Sequence, residues 1–295
     1  MPQQPSIFTL LLTAIALLTL CLPARAQTRR ALVIGLGEQE DKVWEKIHGD
    51  RDVPIVVRQL KKAQYKDITT LTNRSATKAA IVRAMKSLAT RCRPGDIVYV
   101  HYSGHGQQMT DLNGDEPNGW DQAWIPYDAY FLPCAKDRGE KHLCDDETAT
   151  LLTAIKNKVG ASGTILVVVD ACYSGDSTRD QRMASADNLP ARGVLDKFII
   201  PSSKTPAKTS RAPERWLTLT ACQKYETCTE LPNGYGRLSY ALFTLWDALR
   251  NMDNTQAVNA IVEYLLRPEH ATRKPQTPTL TGDKEHQSIR KALGN

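Results

Sequence analysis

Two short segments carry side chains able to do covalent chemistry. Tyr102-Ser103-Gly104-His105-Gly106 sets a histidine between two glycines, directly after a β-branched and aromatic run. Asp170-Ala171-Cys172-Tyr173-Ser174-Gly175 sets a cysteine on a turn after a second apolar run. A thiol becomes a competent nucleophile near neutral pH when a base or a positive environment stands beside it. The glycines let a peptide backbone come close, and the amides near Gly106 and Cys172 are candidate oxyanion donors. Alone, either residue reads as readily as a buried cysteine or a loop histidine. As a pair at two strand ends they favour acyl transfer.

The elements that must position them follow from periodicity. Arg30 to Leu36 is a short apolar run and reads as a buried strand, followed by a helix over Val53–Ala63 and a brief strand over Asp67–Leu71. Thr77–Leu88 places Ile81, Met85 and Leu88 on one helical face, with Ser75 as the expected N-cap. Ile97–Tyr102 and Gly163–Asp170 are the strands that deliver the histidine and the cysteine. The stretch from Gly104 to Asp146 is polar and turn-rich, with a short strand expected at Gln122–Pro126 and a helix over Asp146–Ile155. Trp216–Ala221 reads as a strand, and Leu238–Leu249 and Ala257–Leu266 as helices. Strands alternating with helices imply one α/β domain, with a parallel sheet covered on both faces. In such sheets function sits at the carboxyl ends of the strands.

The chain has 295 residues, 41% hydrophobic and 24% charged, with a formal net charge of +6. That excludes a fibrous or disordered chain and leaves ample surface for a core. The modest basic excess is spread out, and its densest part, Arg179 to Arg215, reads as a solvated loop rather than a nucleic-acid stripe. Ile7 to Leu22 is apolar and uncharged and precedes Pro23-Ala24-Arg25-Ala26, so residues 1–26 read as a secretory signal peptide. Export to a periplasmic or extracellular site is expected, with no stable membrane span after cleavage and residues 27–295 forming the folded domain. Six cysteines then remain, with no Cys-x-x-Cys pair and no zinc pattern. Cys134 with Cys144, and Cys222 with Cys228, are close enough to close small loops, although free thiols fit as well.

With these motifs the sequence resembles the caspase-like cysteine peptidases, and within them the metacaspases, from about Arg30 to about Gly282. The resemblance implies a caspase-like α/β sandwich, a mostly parallel central sheet with helices on both faces. It also implies a cysteine endopeptidase in which His105 is the general base and acid and Cys172 the nucleophile. Animal caspases carry Gln-Ala-Cys at the nucleophile, where this chain has Asp170-Ala171-Cys172. In metacaspases the aspartate two before the nucleophile and the serine two before the histidine line the specificity pocket, which maps onto Asp170 and Ser103. His48-Gly49-Asp50-Arg51-Asp52-Val53 resembles the family's segment ahead of its first helix, and so adds Asp52, an acid equally at home in a helical first turn without function. Pro275-Gln276-Thr277-Pro278-Thr279-Leu280 resembles its C-terminal strand. An acidic pocket selects protein or peptide substrates with Arg or Lys at the cleavage site.

The loops between the two motifs hold Asp111, Asn113, Asp115, Asp121, Asp145 and Asp146, hard oxygen donors that suit calcium. An EF-hand is rejected, because Glu116 stands where the loop needs glycine and Gln122 where it needs a bidentate acid. The resemblance implies calcium on Asp121, Asp145 and Asp146, with a fourth position falling at Arg179 and its neighbour Asp180. A solvated acidic loop is the alternative. No cofactor is needed for the chemistry itself. The long polar segment 177–214 contains Arg179, Arg182, Arg192, Lys197, Lys204, Lys208 and Arg211, and is the expected site of self-processing. The competing function class is a catalytically silent caspase-fold scaffold.

Overall fold

The computed structural model describes residues 27–173, 189–201, 213–223, 226–270 and 276–294. The expected signal peptide and most of the 177–214 segment lie outside the described residues.

Six strands form the main sheet in the order β2-β1-β3-β7-β8-β9. They are β1 (Arg29–Gly35), β2 (Asp67–Thr72), β3 (Ile97–Ser103), β7 (Thr164–Asp170), β8 (Leu217–Thr220) and β9 (Thr279–Gly282). All neighbours run parallel except β8 and β9. Every residue of β3 and β7 is buried, which is why their sequences are nearly unbroken apolar runs. Side chains still alternate in direction along each strand. Ala31, Val33, Tyr99, Leu166 and Val168 face one core, closed by α1 (Gly49–Lys62), α4 (Arg237–Leu249), α5 (Asn254–Leu266) and the short α6 (Ile289–Leu293). Leu32, Ile34, Val98, Val100 and Val167 face the other, closed by α2 (Lys78–Arg91) and α3 (Asp145–Val159). The expected sandwich is therefore present.

Local expectations were corrected in two places, and the open question of the cysteines was decided. The N-cap of α2 is Thr77, whose hydroxyl accepts from the Ala80 amide at 3.2 Å, while Ser75 caps a short turn by bonding the Thr72 amide at 2.8 Å. The turn-rich stretch after Gly104 contains a second, antiparallel sheet of β4 (Gly106–Thr110), β5 (Trp120–Trp124) and β6 (Leu143–Cys144). Its polar residues hid it, because Gln107 and Gln108 are buried instead of facing solvent, Gln107 with its amide donating to the Phe131 and Asp196 carbonyls. All six described cysteines are reduced, so neither short loop is closed by a disulfide.

Candidate active site

β1, β3 and β7 end level with one another. Gly35 pairs with Ser103, and Ser103 pairs with Asp170. His105 and Cys172 each lie two residues beyond a matched pair, so a single register carries both to the same edge of the sheet. The turn after β3 is held by Tyr102, whose hydroxyl donates to the His105 carbonyl at 2.6 Å and accepts from the Ile125 amide at 2.9 Å. The Tyr102 ring stacks on Trp124 with centroids 4.6 Å apart, which fixes the hydroxyl.

The His105 ring is buried, and Trp44 packs on it at 5.1 Å. Its Nε2 lies 2.7 Å from the Glu45 carbonyl oxygen. A carbonyl can only accept, so Nε2 carries the proton and Nδ1 keeps its lone pair. Nδ1 is buried and makes no hydrogen bond among the described residues. Burial holds the ring below its ordinary value of 6.5, against the opposite pull of the Glu45 carbonyl and Cys172. Such an imidazole is neutral at neutral pH and oriented as a base. Cys172 is fully buried beside Cys222 and Cys228, whose thiols donate to the Glu226 and Ala171 carbonyls at 3.4 Å. The Cys172 contact, with burial, pushes the Cys222 thiol well above its usual range, and burial first of all does the same for Cys228. Both therefore stay protonated beside the nucleophile candidate. The amides of Gly106 and Cys172, expected as oxyanion donors, converge on one oxygen: each donates to the Arg192 carbonyl at 3.1 Å.

The side chain of that same Arg192 fills a closed acidic cup. Its guanidinium is fully buried. Nη1 donates to Asp52 Oδ2 at 2.8 Å and to Ser103 Oγ at 2.6 Å, and Asp170 Oδ2 lies 3.5 Å away. Nε and Nη2 donate to Glu230 Oε1 at 3.2 and 2.9 Å. The structure thus brings together Asp52, Ser103 and Asp170 as the sequence suggested, and adds Glu230. The acids are themselves braced. Asp52 accepts from the Gly236 amide at 3.0 Å, Asp170 from the Ser239 amide and hydroxyl at 2.8 and 2.7 Å, and Glu230 from the His48 amide and Nδ1 at 2.7 and 2.6 Å. Burial raises the Asp52 carboxyl to about 6 against the lowering pull of Arg192. Desolvation works against the Arg192 charge, yet Asp52, Asp170 and Glu230 together hold its pKa above the ordinary value. A planar fork met on two sides by carboxylates is a geometry that guanidinium satisfies and a neutral side chain does not.

Sequence reasoning missed Glu230, Glu45, Trp44, Ser239 and the two flanking thiols. Glu230 follows β8 after an irregular stretch with no periodicity, and Glu45 acts through its carbonyl, which no side-chain pattern reports. On the metal side, Asp111, Asp115 and Asp121 offer oxygens within 4.8 Å of one another. Oδ1 of Asp115 and Oδ1 of Asp121 are buried and lack a hydrogen-bond partner among the described residues. Burial and the charges of Asp145, Asp146, Asp111 and Asp115 push Asp121 up to about 8. Orphaned, crowded carboxylate oxygens fit a hard divalent cation. The clustered set differs from the expected one. Asp111 and Asp115 join Asp121, while Asp145 accepts from the Gln122 amide at 3.2 Å and Asp146 from Asn113 Nδ2 at 2.5 Å. Asp180 lies outside the described residues.

Comparison with known proteins agrees with this geometry. Residues 29–179 match the family model described as metacaspase, peptidase C14 domain. Metacaspase-1 of Coccidioides immitis is 31% identical over 157 residues, covering 50% of this chain and 32% of that protein. Metacaspase-1A of Aspergillus oryzae is 36% identical over 101 residues, covering 34% and 22%. The chain thus spans about a third or less of the length of these two relatives. Among solved structures, a Geobacter sulfurreducens protein superposes with a TM-score of 0.64 at 23% identity, over 91% of this chain and 99% of that one. Caspase-1 from Spodoptera frugiperda superposes with a TM-score of 0.56 at 12% identity, over 88% and 90%. These two share the fold. With its sheet order, its paired strand-end motifs and a family match across half its length, the chain belongs to the metacaspases of the peptidase C14 family.

Proposed function

We propose that the chain is a cysteine endopeptidase that hydrolyses peptide bonds after Arg, and less well after Lys. The observation that carries this reading is the buried cup of Asp52, Ser103, Asp170 and Glu230 closed around a guanidinium. A lysine ammonium is a point charge without the fork and engages one wall of the cup at a time. A seated arginine directs its own carbonyl to the amides of Gly106 and Cys172, where negative charge develops in acyl transfer. Cys172 attacks that carbonyl, and His105 takes the thiol proton at Nδ1 and returns it to the leaving amine. Water then releases the acyl group from the sulfur.

Three further properties belong to the same proposal. Calcium binds the Asp111, Asp115 and Asp121 cluster and stimulates activity, an ordering role outside the chemical steps. Residues 1–26 direct export, to the periplasm or beyond the cell. The chain processes itself within 177–214. No helix among the described residues is long and apolar enough to cross a membrane.

The test is cleavage profiling of a peptide library by the wild type beside Cys172→Ala. Arg should dominate before the cut, Lys should follow, and the variant should be inert. A preference for acidic residues, or equal turnover by Cys172→Ala, would refute the reading. A silent scaffold would show no cleavage, and its thiol labelling would not be blocked by a peptidyl-arginine electrophile.

A further inference from the structure

The arginine in the cup belongs to the chain itself, and the backbone around it is laid out as a bound peptide. Ala191 bridges antiparallel to Thr229. The Arg192 amide donates to the Cys228 carbonyl at 2.9 Å, and the Glu230 amide donates to the Pro190 carbonyl at 3.0 Å. Residues 190–192 therefore add a short strand to the rim of the cleft, the usual way an extended peptide is held. On the far side of Arg192, Gly193 bridges to Gly106. A β-carbon on Gly193 would collide with both the carbonyl and the Sγ of Cys172. The backbone passes the sulfur at a distance that only glycine permits. Downstream, the Phe198 amide donates to the Gln108 carbonyl at 2.8 Å and the Thr110 amide to the Phe198 carbonyl at 3.1 Å, docking the chain along β4. Phe198 is fully buried against Met109, Ala123, Ile125 and Trp44. Side chain in the cup, carbonyl on two amides, next residue against the sulfur: each part of a reacting peptide is in its place.

We infer that Arg192–Gly193 is the bond this chain cuts in itself, and that until it is cut the uncleaved chain is latent because Arg192 blocks its own pocket. The inference rests on the peptidase reading above. In the step, Cys172 Sγ bonds to the Arg192 carbonyl carbon while the thiol proton passes to His105 Nδ1 and on to the Gly193 nitrogen. The C–N bond breaks, leaving Arg192 as a thioester on Cys172 and Gly193 as a free amine. Water hydrolyses the thioester, giving Arg192 a carboxylate and restoring the thiol. The cut frees Arg192 from Gly193, and the released end leaves the cup by exchange with substrate. The Gly193 end remains tied to β4 through Phe198, so the fragments stay together.

The experiment maps the fragments of purified full-length wild type and follows hydrolysis of a peptidyl-arginine fluorogenic reporter in the same samples. The expected result is a fragment beginning Gly193-Val194-Leu195, absent from Cys172→Ala, with a rate constant unchanged on dilution. Reporter hydrolysis should start after a lag that ends as this fragment accumulates. Arg192→Gln should lose the cut and hydrolyse the reporter without a lag, and Arg192→Lys should still be cut. Mapping and dilution in the wild type need no variant, so poor folding of Arg192→Gln cannot hide the answer. A fragment beginning elsewhere, a dilution-dependent rate, or uncut wild type that hydrolyses the reporter at once would overturn the inference while the arginine specificity stood. Wild type that cuts peptides but never after arginine would overturn the specificity, and the inference with it.

Discussion

Glu230→Gln probes the one wall of the cup that no sequence motif announced. Gln keeps the shape of Glu but removes its charge and turns one acceptor oxygen into a donor. Glu230 Oε1 serves both Nε and Nη2 of the guanidinium, and the carboxylate also holds the His48 amide and Nδ1. An amide can serve the guanidinium or His48, but not both with full occupancy. The group is fully buried, so solvent does not screen the loss. Breaking a buried pair at one partner costs about 3–5 kcal/mol. At about 1.4 kcal/mol per decade of rate, kcat/KM for an arginyl peptide should fall by roughly two to four orders of magnitude. The comparison is made in an Arg192→Ala background, with and without Glu230→Gln, so that the chain's own arginine competes in neither protein. Hydrolysis of a peptidyl-arginine reporter gives kcat/KM, and thermal unfolding reports the fold. A drop under about tenfold in a fully folded double variant would refute the idea that Glu230 reads the guanidinium.

The pH dependence has a defined sign. Asp52 sits at about 6 with arginine beside it and titrates higher in an empty cup, because Arg192 lowers it and burial raises it. KM for arginyl substrates should therefore rise as pH falls toward about 6, and Asp52→Asn should flatten that rise. His105 lies below its ordinary 6.5, so the acid limb of kcat governed by the base should fall below that pH in steady-state profiles. Tyr102→Phe removes the hydroxyl's bonds to the His105 carbonyl and the Ile125 amide, which keep only their mutual bond of 3.2 Å. Losing these bonds costs about 0.5–1.5 kcal/mol each, seen in denaturant unfolding, and kcat should fall more than KM rises. Calcium should raise the melting temperature of the wild type, and Asp115→Asn with Asp121→Asn should abolish that shift in a calcium titration.

The sequence alone determined most of the frame. The apolar runs ending at Ser103 and Asp170 mark two central strands, because strands buried on both faces leave no polar side to interrupt them. Glycines flanking His105, and Cys172 two residues past a strand, marked the chemistry, since that pattern is local and survives in one dimension. The fold decided what depends on contacts between distant segments. β4 was hidden because its glutamines are buried, and Gln107 finds its partners only inside the folded chain. The tautomer of His105 is set by a carbonyl at Glu45, and a backbone atom leaves no trace in residue identity. The third acid of the cup comes from Glu230, far along the chain from Asp52 and Asp170, and its charge had no periodicity to betray it. Arg192 in sequence is one basic residue among many in a polar loop. Only the sheet edge that aligns three carboxylates, two amides and a thiol singles it out, because selectivity for one arginine arises from the convergence of groups that the chain keeps apart.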